Sequence, residues 1–103
     1  MGRNSLEGKV GDTLYMKLQI IADPMIGTVL EQVAKNRMIR FGDLLQMTDP
    51  PTAREAARGA IRKLRAMRLI DENESAIEDF NTLYITADGL SAIRKLETSG
   101  SGQ

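Results

Sequence analysis

The chain contains no cysteine, no histidine and no tryptophan. The first two absences remove disulfides, thiolate nucleophiles, histidine bases and the usual zinc ligand sets. Catalysis would have to run on Asp, Glu, Lys, Tyr, Ser or Thr, and nothing along the chain assembles a nucleophile, a base and an oxyanion site. The sequence therefore reads as a non-enzyme with no metal and no cofactor. Aromatic residues are scarce at 4%, so Leu, Ile, Val, Met and Ala must fill the core. No apolar run approaches the ~20 residues that span a bilayer, and no secretory signal is visible. Gly2 begins something like an acylation signal, but Leu6 stands where Ser or Thr is required. The expectation is a soluble, cytoplasmic protein with no membrane partner.

What the chain does have fits one globular domain: 103 residues, 42% of them hydrophobic. Residues 1–11 and 98–103 are polar and glycine-rich and are expected to be flexible, leaving 12–97 as the folded unit. An excess of one charge is also missing, with 14 basic and 14 acidic residues. That zero is a cancellation. Arg54, Arg58, Arg62, Lys63, Arg65 and Arg68 face a single acid, Glu55, whereas Asp71, Glu72, Glu74, Glu78 and Asp79 form a run without any base.

Hydrophobic spacing outlines the elements. In residues 13–22, Leu14, Leu18 and Ile21 fit a helical stripe, while Leu14, Met16, Leu18 and Ile20 fit a strand. The start offered by Asp12 and Thr13 favours the helix. Asp23 can cap a second helix with Pro24 at its first position, where a missing N–H costs nothing. Ile26, Val29, Leu30 and Val33 continue it towards Asn36, and Gly27 within it implies a close packing contact. Met38–Arg40 reads as a short extended stretch, followed by a two-turn helix from Phe41 to about Met47 that Asp49-Pro50-Pro51 stops.

Thr52-Ala53-Arg54-Glu55 is a capping box that opens a helix over residues 53–68. At ~100° per residue, Ala53, Ala57, Ala60, Ile61 and Leu64 share one face and the arginines point elsewhere. Leu69–Asp71 and Thr82–Ile85 read as the strands of a hairpin around a polar, acidic loop at 74–81. Thr86 caps a last helix carrying Leu90, Ile93 and Leu96. The predicted fold is mostly α with a small β hairpin.

This order resembles the winged helix-turn-helix, with an additional N-terminal and a C-terminal helix. Ile61-Arg62-Lys63-Leu64-Arg65-Ala66-Met67-Arg68-Leu69-Ile70 resembles the end of a recognition helix running into a wing. Leu83-Tyr84-Ile85-Thr86-Ala87-Asp88-Gly89-Leu90 resembles the strand-to-helix turn of MarR- and PadR-type regulators, and Ile21-Ala22-Asp23-Pro24 the first-helix junction of ArsR-type regulators. The match covers roughly residues 13–97. The resemblance implies a DNA-binding transcriptional regulator that reads double-stranded DNA through helix 53–68.

On that basis Arg54 and Arg58 are expected at base edges, where arginine pairs with guanine, and Arg62, Lys63 and Arg65 at phosphates. Thr52 can bind a phosphate at the helix start or act only as a cap. Lys35, Arg37 and Arg40 are placed to flank the backbone. Such regulators usually read two half-sites, so a homodimer is expected through Leu14, Leu18, Ile21, Leu90, Ile93 and Leu96; the plainer alternative is that these residues complete the monomer core. The acidic loop approaches calcium-loop spacing but has Ala76 and Thr82 where Gly and Glu are required. It reads as a solvated tip, or as acids that repel phosphate or meet a partner subunit's basic helix. The rival function is a winged-helix protein–protein interaction module without DNA binding, for which the zero net charge and the acidic wing speak.

Overall fold

The computed structural model describes the backbone of residues 5–47 and 53–101 and the side chains of 14–47 and 53–97. Its elements run α1 (Ser5–Ala22), α2 (Pro24–Asn36), β1 (Met38–Arg40), α3 (Phe41–Gln46), α4 (Arg54–Ala66), β2 (Ile70–Asn73), a 3-10 turn (Glu78–Phe80), β3 (Thr82–Ile85) and α5 (Ala87–Ser101). The helix preferred for 13–22 is observed, and it starts at Ser5, ahead of the Asp12 start. The Asp49-Pro50-Pro51 stop and the Thr52 half of the capping box lie outside the described residues.

Local chemistry accounts for most element ends. Asp23 holds extended backbone and its Oδ1 accepts from the Met25 amide at 3.2 Å, with Pro24 opening α2. This satisfies one of the donors that a helix start leaves unpaired. α4 ends in a Schellman closure: the Leu69 amide donates to Leu64 O at 3.0 Å and the Arg68 amide to Arg65 O at 2.9 Å. Arg68 takes φ 62° to make that turn, a position glycine usually fills. The Thr86 hydroxyl accepts from the Gly89 amide at 2.9 Å and so caps α5.

The sheet is larger than a hairpin. Its order is β1-β3-β2, all antiparallel, with Ile39 opposite Leu83 on one side of β3 and Ile70 opposite Ile85 on the other. The extended stretch 38–40 is thus a third strand. It sets Ile39, Leu83 and Ile70 into the same core as Ile26, Leu30, Val33, Phe41, Leu44, Ala57, Ala60, Ile61 and Leu64. Each fully buried aliphatic side chain there contributes roughly 1.5–3 kcal/mol. No polar or charged residue is buried among the described residues.

Two glycines mark close approaches. A Cβ on Gly27 would sit 3.1 Å from Ile20 Cγ2, so the contact expected there is the packing of α1 on α2. A Cβ on Gly89 would overlap the carbonyl oxygen of Leu69 and lie 2.6 Å from Ile85 Cδ1. The first turn of α5 is therefore pressed against the start of β2.

Candidate nucleic-acid interface

α4 is held by its alanine-rich underside. Ala57, Ala60, Ile61 and Leu64 are buried, and the small residues let the helix lie close to α2. Taking ~100° per residue, the line of α4 farthest from the core is Glu55, Gly59, Arg62 and Ala66. Arg54, Arg58 and Arg65 lie on the flank towards the β2–β3 wing, and Lys63 lies on the opposite flank.

That flank is where the acidic segment folds. Glu78 grips Arg58 with both oxygens: Nε to Oε2 at 2.5 Å and NH2 to Oε1 at 2.7 Å. Arg58 NH1 also reaches Glu55 at 2.9 Å, one turn back on the same helix. Arg54 NH1 donates to Asp79 at 2.6 Å and to Glu78 at 3.0 Å, and its guanidinium lies over the Phe41 ring, 5.6 Å from the centroid. Arg65 pairs with Glu72 at 2.9 Å. Lys63 lies 3.7 Å from Asp23, at the α1–α2 junction. The acidic loop is therefore no freely solvated tip, and its partner is the basic helix of its own chain.

The contacts at Glu78 and Asp79 shift the ionisation of three groups, Glu78 itself, Arg58 and Arg54. Hydrogen bonds from Arg58 hold the Glu78 carboxyl down at about 2, helped by Arg54 and opposed by partial desolvation. Arg58 is raised by its bond to Glu78, and Arg54 by its bonds to Asp79 and then Glu78. All of these groups stay charged across the physiological range.

The rest of the wing is anchored by polar contacts. Asn81 Oδ1 accepts from the Ser75 amide at 2.7 Å, its Nδ2 donates to Glu72 at 3.2 Å, and its carbonyl accepts from the Phe41 amide at 2.8 Å. Arg40 lies over the Phe80 ring at 5.5 Å. A groove of about 250 Å³ runs between α4 and this segment, with Arg58, Arg62, Arg65, Glu72, Glu74 and Glu78 in its walls. A broader basin of about 550 Å³ opens beyond it, bordered by Arg62, Arg65, Arg68, Asp71 and Thr86.

No family profile and no curated protein matches the sequence. Solved structures do match. NMB1585, a MarR family regulator from Neisseria meningitidis, superposes with TM-score 0.61 over 97% of this chain and 75% of its own, at 15% identity. A variant of ZitR from Lactococcus lactis in its apo form gives TM-score 0.55 over 97% and 76%, at 14% identity. The fold is a winged helix.

Within the winged helix, α3 and α4 form the helix-turn-helix pair and β2–β3 the wing. Of the six residues expected at DNA, Arg54, Arg58 and Arg65 gather against the wing and Lys63 faces away from them. Thr52 lies outside the described residues. Arg62 is exposed and makes no ion pair or hydrogen bond among the described residues. Lys35, Arg37 and Arg40 are exposed around the α2–β1 junction.

Three residues of this surface lie outside the set expected at DNA. Arg68 lies beyond the end of α4, exposed at the rim of the basin, because the helix stops earlier than residue 68. Gly59 has nothing near its missing Cβ and marks an outward face where another backbone can approach closely. Glu55 heads that face with its side chain 87% exposed. A helical wheel centred on the four apolar positions locates Gly59 and Glu55.

The apolar stripes on α1 and α5 separate. Leu14 and Leu18 are more than half exposed and Ile21 is 75% exposed. α1 instead turns Met16 and Ile20 inward. Ile93 and Leu96 are partly buried against the core, and Leu90 is intermediate. The α5 stripe thus serves the monomer, while that of α1 remains open in the single chain. No described helix is long and apolar enough to cross a membrane.

Proposed function

We propose that the protein is a cytoplasmic DNA-binding transcriptional regulator that acts as a homodimer and performs no catalysis. The observation that carries this reading is the placement of a cation-rich, outward-facing α4 in a winged helix, the position from which such a helix enters a major groove. Arg62 and Arg68 make no ion pair among the described residues and can meet phosphate or base edges, and the lysine and arginine side chains around the α2–β1 junction extend the positive surface. Phosphate contacts supply affinity through counterion release, and the crest of α4 supplies selectivity. The structural likeness to a MarR family regulator supports the same reading at the level of fold.

The test is filter binding or gel shift with genomic fragments at low salt. Retention at micromolar protein, falling steeply as salt rises, is the expected result. Arg62→Ala should weaken binding several-fold and reduce the salt slope by about one, the signature of a lost phosphate contact. No retention at low salt would favour the interaction-module alternative. That alternative draws on the self-neutralised Arg54 and Arg58 and on Ile77 and Phe80, both more than half exposed beside them.

A further inference from the structure

We infer that Glu78 and Asp79 act as an intramolecular stand-in for DNA phosphate, a latch that holds Arg54 and Arg58 against the wing until a duplex displaces it. The inference rests on the DNA-binding reading and concerns how that surface is controlled.

The geometry of the pairs carries it. Glu78 occupies the Nε and NH2 edge of Arg58 in the two-pronged arrangement that a phosphate or a guanine would use. Arg58 cannot offer that edge to DNA while the carboxylate holds it. Arg54 is engaged by both acids at one nitrogen. Room for this approach is made by Gly42 in α3, where a Cβ would stand 3.1 Å from Asp79 Cβ and 3.3 Å from its carbonyl oxygen.

The latch is built to be exchanged. The Glu78 and Asp79 side chains are 34% and 48% exposed, so a competing anion can reach them. Ion pairs at that exposure are weak and screened by salt. The 3-10 turn that carries them buries no side chain, and Phe80 and Ile77 remain more than half exposed. Lifting the turn therefore exposes little new apolar surface, the property of a segment that opens locally. Arg62 and Arg68, exposed outside the latch, provide first contacts for a duplex, and the phosphates that follow can replace the two carboxylates.

Duplex affinity of the full chain, measured for the wild type, Glu78→Gln and Glu74→Gln, tests this. Glu74 lies in the same groove and makes no ion pair among the described residues, so its substitution matches the charge change without opening the latch. Glu78→Gln should bind roughly five- to tenfold more tightly than the wild type, and Glu74→Gln should show only the smaller gain, roughly twofold, of one negative charge lost beside a polyanion. Equal gains in both variants, or no gain in Glu78→Gln, would overturn the latch while leaving DNA binding in place. Failure of every form to bind at low salt would remove the DNA reading and the latch together.

Hydrogen exchange of the wild type is an independent check that does not depend on a variant folding. The amides of Phe80 and Asn81 are bonded to Ile77 O and Glu78 O within the turn. DNA should accelerate their exchange, against the slowing usual at a covered surface. Unchanged or slower exchange at these two amides on a saturating duplex contradicts displacement.

Discussion

At the scale of single residues, two backbone positions carry opposite expectations. Gly89 was legible as part of the Leu83–Leu90 pattern, but its reason is spatial: any side chain there meets the Leu69 carbonyl and Ile85. Gly89→Ala should cost about 2 kcal/mol, the range for overpacking a tight contact, and lower the thermal midpoint by several degrees. Arg68 is the reverse case, a side chain at φ 62° where the Schellman turn favours glycine. Arg68→Gly should raise stability by about 0.5–1 kcal/mol in denaturant melts, and should weaken duplex binding because an exposed cation is lost. A melt that moves the other way would mean the turn is not strained.

Within α4, the element that carries the proposed function, stability and chemistry can be separated. Gly59 lies mid-helix with open space around it, so Gly59→Ala should stabilise the protein by about 1 kcal/mol. Differential scanning calorimetry reads this directly. The wing pairs predict an acid response. The Glu78 carboxyl is held at about 2 in the folded chain by Arg58 and then Arg54, against an ordinary value of 4.5. Its folded value is lowered, so its contribution is fully present above about 4.5 and is lost as the pH falls towards 2. Urea midpoints collected through that window should fall more steeply for the wild type than for Glu78→Gln. Parallel profiles would show that the pair does not persist in solution. No comparable dependence is expected from this carboxyl between pH 6 and 8.

For the whole molecule, the feature that bears on assembly is the outer face of α1. Leu14, Leu18 and Ile21 form an exposed apolar stripe opposite the residues that α1 buries, a surface suited to pairing with another chain. A second copy that pairs along α1 would cover the stripe and present two copies of α4 to successive half-sites. Leu18→Lys combined with Ile21→Lys should convert a dimer to a monomer in sedimentation equilibrium while leaving helicity intact. A wild-type chain that sediments as a monomer at tens of micromolar would contradict the pairing.

The sequence alone determined the elements and much of the core. The Asp23-Pro24 start, the 3.6-residue spacing of Ile26, Val29, Leu30 and Val33, and the alanine underside of α4 act over a few neighbouring residues, so they are readable without the fold. The concentration of arginine between 54 and 68 and of acids between 71 and 79 was equally visible. Only the tertiary structure decided that these two segments meet, that Met38–Arg40 joins β3 as a third strand, and that α1 turns Met16 inward and leaves Ile21 outside. Such outcomes depend on where the chain returns after twenty or more residues, and charge or hydrophobicity at one position does not specify the partner it will find. The wing folds over α4 because a glycine in α3 leaves it space, a coincidence of distant residues that no local pattern records.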